Sequence, residues 1–187
     1  MNTAKPIKNK DDIIKFKLFF IKRKEYRNYL LITIQLNTAL KIGHILNLKH
    51  KDLYDYDNKR FKNHITVRDE KTRKAQEIYI NSAIRDAFKL YDGINKCPDE
   101  NIFTNKQGKP ISRVQVYRII KEAGEACNIG HLSCNSLRKT FGYYAWKKGA
   151  EPALLMEIFN HKSYNSTKRF LCISQEDKDN LFGHIKL

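Results

Sequence analysis

The sequence predicts an α+β fold, mainly α with a small antiparallel β-hairpin or three-stranded sheet. Two observations carry this. Apolar residues recur at helical spacing through most of the chain, as in Val116, Ile120, Ala123 and Cys127. One segment departs from that period: residues 63–68 and 75–80 alternate apolar with polar side chains on either side of a charged stretch, 69–74, as two half-buried strands joined by a turn do.

Residues 11–22 form a first amphipathic helix. Residues 29–40 are so apolar, with Leu30, Leu31, Ile32, Ile34 and Leu36, that periodicity alone does not separate buried helix from strand, and length favours a helix. A third strand is expected near residues 53–56, beside the hairpin. Ser112 with Gln115 three residues on is a capping-box signature, each side chain satisfying a backbone N–H at a helix start, and it opens a helix over 112–127. Residues 135–148 place Leu137, Phe141, Tyr144 and Ala145 on one face and stop before Gly149, a residue suited to the left-handed conformation beyond a helix end. Pro152, with its fixed φ and no N–H to leave unpaired, opens a short helix carrying Leu155 and Ile158. Helical pieces over 165–173 and 175–184 close the chain, the last within a C-terminal tail helix, 174–187. No repeat and no Pro/Gly/Ser-rich linker divides the 187 residues, so one domain over 1–187 is expected.

With 36 Lys+Arg against 20 Asp+Glu, the formal charge is +16, enough to steer association with a polyanion; a nucleic acid is the expected partner, with an anionic membrane or plain solubility as the alternatives. The basic residues are interspersed with apolar ones, as Lys15, Lys17, Lys22, Arg23, Lys24 and Arg27 show, which describes a folded surface and not a charged tail. No apolar run reaches the roughly 18 residues that span a bilayer, and the start of the chain lacks the apolar core of a signal peptide. Cys97, Cys127, Cys134 and Cys172 show no Cys-x-x-Cys pairing with nearby histidines and read as reduced, partly buried thiols. A cytoplasmic location is expected, with no metal and no cofactor.

The most specific stretch is Asn135-Ser136-Leu137-Arg138-Lys139-Thr140-Phe141, followed by Phe159-Asn160-His161 and, nine residues after that histidine, Phe170. It resembles the second catalytic box of the tyrosine recombinases, the phage-integrase family. In members that cut DNA this box reads His-x-Leu-Arg-(His or Lys)-Thr, then Gly-His or Asn-His, then the tyrosine that attacks the phosphodiester. Upstream, Asn37-Thr38-Ala39-Leu40-Lys41-Ile42-Gly43-His44-Ile45-Leu46-Asn47-Leu48 is similar to the family's first box, Thr-Gly-Leu-Arg-Ile-Ser-Glu-Leu-Leu-x-Leu. That register puts Lys41 where the first catalytic arginine belongs and His44 where a carboxylate usually sits. Lys71, between the boxes, matches the catalytic lysine that protonates the leaving 5′ oxygen. The resemblance covers about residues 10–185. It implies the tyrosine recombinase catalytic-domain fold, without the separate N-terminal core-binding domain of larger members, and double-stranded DNA as partner.

Transesterification at a DNA phosphate needs a nucleophile, cations on the nonbridging oxygens and a general acid for the leaving group. The resemblance assigns Arg138, His161 and Lys71 to the last two tasks as retained positions, and leaves Lys41, Asn135 and Phe170 as degenerate ones. Lys41 keeps a charge but not the planar fork that grips two phosphate oxygens at once. Asn135 donates a hydrogen bond yet neither takes nor gives a proton as the family's histidine does. Phe170 has no hydroxyl to attack with.

Singly, Arg138 reads as a surface arginine, Lys71 as a turn lysine and His161 as a core histidine; together with the spacing to Phe170 and the first box they point to the family. Tyr164, three residues after His161, is on a different helix turn from the nucleophile position. A lone trapping substitution at position 170 does not also explain Lys41, His44 and Asn135. The expected function is therefore a DNA-binding protein that has lost strand cleavage, contacting DNA through Lys41, Lys71, Arg138 and His161, and acting as a phage or mobile-element regulator or a recombination modulator. Two alternatives stay open. One is an active site-specific recombinase or integrase using altered residues. The other is an interaction protein that docks on related recombinases, or on copies of itself, through the C-terminal tail, where Asp177, Asp179, Leu181 and Phe182 fit a plain amphipathic helix as well. In the family fold Lys41, Lys71, Asn135, Arg138, His161 and Phe170 converge on one concave basic face.

Overall fold

Helix α1 (Lys10–Lys22) starts where the Asn9 side chain accepts from the Asp11 N–H, and it buries Phe16 and Phe20. These details come from a computed structural model that describes residues 4–68 and 75–184. The face of α1 that carries the two phenylalanines packs on α2 (Tyr26–Thr38). Helix wins over strand in this apolar segment: Leu30, Leu31, Ile32 and Ile34 are buried, and so are Thr33 and Gln35, because other elements surround α2. It ends two residues earlier than the apolar pattern suggests. Ala39 takes the left-handed conformation, φ 55°, and turns the chain towards α3 (Ile42–Leu46).

Past α4 (His50–Leu53), strand β1 (Tyr54–Asp55) pairs with β2 (Arg60–Phe61), and β3 (His64–Arg68) pairs antiparallel with β4 (Ala75–Tyr79). Ile65 and Val67 are buried while their neighbours on β3 are exposed, as the alternation predicts. The expected third strand needs correction. The strand near 53–56 forms, but it folds back on residues 60–61 in a two-stranded sheet of its own. A short turn through Lys59, at φ 50°, brings that nearer partner within reach at low loop-closure cost. The charged stretch 69–74, with Lys71, lies outside the described residues.

Helix α5 (Ser82–Leu90) was not anticipated from the sequence; the Asn81 side chain caps it on the Ile84 N–H, and it packs on α2 with Ile84, Ala87 and Phe88 buried. Helix α6 (Arg113–Ala126) opens with the expected capping box, Gln115 N to Ser112 Oγ at 3.2 Å and Ser112 N to Gln115 Oε1 at 2.7 Å. Helix α7 (Cys134–Lys147) departs from the one-sided stripe foreseen for it. Leu137 is buried, but so are Ser136, Arg138, Lys139, Thr140, Gly142 and Tyr143, whereas Phe141, Tyr144 and Ala145 are half-buried. The helix is enclosed, and its polar side chains find backbone partners: Thr140 Oγ1 accepts from Ile7 N at 2.8 Å and Lys139 Nζ donates to the Ala4 carbonyl at 2.7 Å.

Helices α8 (Pro152–Phe159) and α9 (Tyr164–Leu171) lean on α7 and build a small apolar cluster from Ala39, Leu155, Phe159 and Leu171, separate from the main core. Gly142 sets how closely they approach: a Cβ there would lie 2.5 Å from Leu171 Cδ2 and 2.6 Å from Phe159 Cζ. The tail helix α10 (Gln175–His184) is fastened by a polar residue. Asp177 accepts from Lys8 Nζ and Tyr143 OH, each at 2.7 Å, and from Ser174 N at 2.8 Å. Burial alone would raise its pKa, yet these donors hold the carboxyl well below the usual range. Phe182, by contrast, is exposed. Cys97 is exposed and the other three cysteines are half-buried, all of them free. Among the described residues no helix is long and apolar enough to cross a membrane.

Gly142→Ala tests this packing. Alanine improves helix propensity by about 1 kcal/mol, whereas crowding a close-packed contact costs roughly 1–3 kcal/mol. Crowding should win, and urea unfolding should show a net loss of stability.

Candidate functional site

Two adjoining clefts, of about 520 and 440 Å³, lie at the seam between the main core and the smaller cluster and share Lys41, His44, Arg138 and His161. The second also takes in Gln35, Gly43, Arg113, Asn135, Phe159 and Phe170. Five of the six positions singled out in the sequence, Lys41, Asn135, Arg138, His161 and Phe170, therefore line one concavity; Lys71 lies outside the described residues.

Local geometry explains how each arrives there. Lys41 is the N-cap residue of α3, two residues after the left-handed turn at Ala39. Asn135 and Arg138 lie three apart on α7 and share a face. His161 follows Asn160, whose left-handed φ of 54° ends α8; His161 N then donates to the Met156 carbonyl at 2.9 Å, the wide bond that closes a helix with a left-handed cap. Asparagine tolerates that conformation better than other residues with a side chain, which accounts for an Asn-His pair here. Phe170 sits in the last turn of α9, beside the seam.

Arg138 is only 9% exposed. Its guanidinium donates to the Ala39 carbonyl and lies 5.0 Å from the centroid of the Phe159 ring. No ion pair of Arg138 with a carboxylate occurs among the described residues, and burial pushes its pKa down to about 10. The cleft thus holds a buried positive charge that is paired with no carboxylate among the described residues. Phe159, His161 and Phe170 form a triangle of rings: Phe159 to His161 5.7 Å, Phe159 to Phe170 5.1 Å, and His161 to Phe170 5.1 Å edge to face. His161 Nδ1 is 3.1 Å from Thr167 Oγ1, so Nε2 is the ring nitrogen not committed to that contact. Lys139 Nζ stands over the Phe170 ring, 5.0 Å from its centroid. The hydroxyl-free ring is thus packed into the site and not withdrawn from it. Tyr164 lines neither cleft, and Lys168 Nζ lies over its ring at 5.3 Å.

Gln35 and Arg113 are among the lining residues that sequence reasoning missed, as is the acidic Glu157 of the first cleft. Gln35, 1% exposed with Oε1 unpartnered, was visible as a lone amide in an apolar helix. Arg113 carried no signal, because its place follows only from the approach of α6 to α3. Among the described residues no group of three or more His, Cys, Asp or Glu is arranged to hold a metal ion.

The sequence pattern of the phage integrase family matches residues 10–176, which includes every one of these positions. The chain belongs to the phage integrase family. It is 33% identical over 177 residues to the probable integrase/recombinase YoeC of Bacillus subtilis, covering 94% of this chain and 93% of that protein. It is 28% identical over 154 residues to the type 1 fimbriae regulatory protein FimE of Escherichia coli K12, covering 77% and 73%. Its fold is similar to that of XerA recombinase, with a TM-score of 0.78 at 16% identity over 99% of this chain and 68% of that one. The fold is also similar to XerH site-specific recombinase bound to difH substrate in a post-cleavage complex, TM-score 0.76 at 18% identity, over 98% of this chain and 54% of that one. The fold is that of the tyrosine recombinase catalytic domain, mostly helical with small antiparallel sheets.

Burial, and then the charge of Arg138, hold the His161 pKa below 6.5. With the folded value below the unfolded one, its contribution to stability is complete above pH 6.5 and is lost as pH falls from there through the folded pKa. NMR titration of the His161 ring should give a midpoint under 6.5, and Arg138→Met should move it upwards. An unchanged midpoint in that variant would mean that the two groups do not sense each other.

Proposed function

We propose that this phage integrase family protein binds duplex DNA in the cleft without cutting it, and acts by occupancy, as a regulator or modulator of recombination at sites of a phage or other mobile element. The observation that carries the proposal is Phe170. It stands nine residues after His161, where the family's motif has its attacking tyrosine, and its ring packs between His161, Phe159 and Lys139. A benzene ring offers no oxygen for a phosphotyrosine bond.

Several features support DNA as the ligand. The net charge is +16, the cleft holds Lys41 and the unpaired Arg138, and fold neighbours include XerH bound to difH substrate and the Tn1549 transposon integrase in complex with a circular intermediate DNA. Arg138 and protonated His161 suit the nonbridging oxygens of one phosphate, Lys41 adds a point charge, and Asn135 adds a neutral hydrogen bond. Lys71 stands at the general-acid position of the motif, a role left without a reaction when no nucleophile is present. The same loss at Lys41 and Asn135 removes much of the electrostatic stabilisation that an attacked phosphate needs.

The test uses a duplex with a nick placed to trap a covalent intermediate. Binding measured across salt concentrations should fall along a log–log slope of about −3 or steeper, as several phosphate contacts require. No protein–DNA adduct should survive detergent, and Phe170→Tyr alone should not restore efficient cleavage. An adduct formed by the unaltered protein would instead identify an active recombinase, and duplex binding that is negligible at low salt would remove DNA as the ligand.

A further inference from the structure

Gly43 lies on α3 with an ordinary backbone conformation, so no positive φ accounts for a glycine there. Space does. A Cβ built on it would lie 2.6 Å from Arg113 Nη2, 3.4 Å from Cζ and 3.6 Å from Nε, so the Arg113 guanidinium reaches over the glycine with Nη2 nearest. Arg113 is the first residue of α6, far from α3 in sequence, and it has no hydrogen bond or ion pair among the described residues. Its side chain is exposed and lines the same cleft as Lys41, Asn135, Arg138 and His161.

We propose that Arg113 is a phosphate-binding residue of this cleft, supplying across Gly43 the planar, two-pronged grip that Lys41 lacks. The inference rests on the DNA-binding reading above. Three independent features agree. Lys41 carries charge on a flexible stem without the fork geometry that matches two phosphate oxygens. Two residues along, where the similar first box has serine, this chain has glycine, and the Arg113 side chain occupies the space that a Cβ there would take. Among the described residues Arg113 is also not committed to any carboxylate, which leaves its donors to an anionic ligand, whereas one Arg138 donor is taken by the Ala39 carbonyl. Buried Arg138 and exposed Arg113 would approach one phosphate from two sides, with Gln35 in the floor between α2 and α7.

The experiment compares duplex DNA binding, by fluorescence anisotropy across a salt series, for the full chain and for Arg113→Ala, Arg113→Lys, Gly43→Ala and the Gly43→Ala/Arg113→Ala double variant. Losing a charge-assisted contact should weaken binding roughly tenfold for Arg113→Ala, and should flatten the log–log salt slope by about one. Arg113→Lys should keep the slope but recover only part of the affinity. Gly43→Ala should displace the guanidinium and weaken binding several-fold while thermal stability holds or rises, since alanine is the better helix residue. The double variant should bind no worse than Arg113→Ala alone, because both changes remove one interaction. Strong, salt-dependent binding that is unaffected by Arg113→Ala, or additive losses in the double variant, would overturn the role of Arg113 and leave the DNA-binding reading standing. Absence of salt-dependent binding in the unaltered protein would overturn that reading itself, and this inference with it.

Discussion

Burying Arg138 on α7 constrains everything around it. Moving a guanidinium out of water costs several kcal/mol unless partners compensate, and this one has no carboxylate among the described residues. A carbonyl and a ring stand in. The Ala39 carbonyl reaches it because α2 ends in a left-handed turn, a conformation that costs a residue with a Cβ about 1–2 kcal/mol. The Phe159 ring reaches it because Gly142 lets α8 come close to α7. The end of α2, the middle of α7 and the last turn of α8 are thus fixed relative to one guanidinium. The compensation is incomplete, as the depressed pKa shows, and the unmet charge is what an anion in the cleft would satisfy.

The rings carry the second half of the account. Phe170 fills its place by packing edge to face on His161 and against Phe159, with Lys139 over its ring. His161 is half-buried there, and burial, then the charge of Arg138, lowers its pKa. A family active site combines a grip on the phosphate with an attack on it. On the proposed reading this chain keeps and rebuilds the grip, with Arg113 beside Arg138, while the attack is gone because the ring carries no oxygen. Lys41 and Phe170 then belong together: once no pentacoordinate phosphate forms, an exact fork at position 41 no longer limits a reaction.

Much of this was legible in the sequence because it is encoded locally. The Ser112–Gln115 box, the Pro152 start, the alternation around Ile65 and Val67 and the two motif boxes all depend on neighbours within a few residues, and each appears where it was expected. What stayed hidden depends on distant partners. The enclosure of α7 turned Ser136, Lys139 and Thr140 inwards because the N-terminal segment around Ala4 and Ile7 runs beside it. The third strand chose residues 60–61 over the hairpin because those were nearer along the chain. Helix α5 did carry its own signal, an Asn81 cap before Ile84, Ala87 and Phe88, and the pattern was short enough to pass unnoticed. The meeting of Arg113 with Gly43 has no sequence signature, since it exists only where the first side chain of α6 reaches α3.

The central claim is that the buried charge of Arg138 is satisfied by a DNA phosphate. Urea unfolding of the unaltered protein and of Arg138→Met, each with and without an excess of a short duplex, tests it most directly. A ligand that binds only the folded state stabilises it by RT ln(1 + [L]/Kd), about 2.7 kcal/mol at a hundredfold excess over Kd. The account predicts that duplex DNA stabilises the unaltered protein by an amount of this order and that Arg138→Met, folded in its absence, gains little. Equal stabilisation of both proteins by the duplex would contradict it.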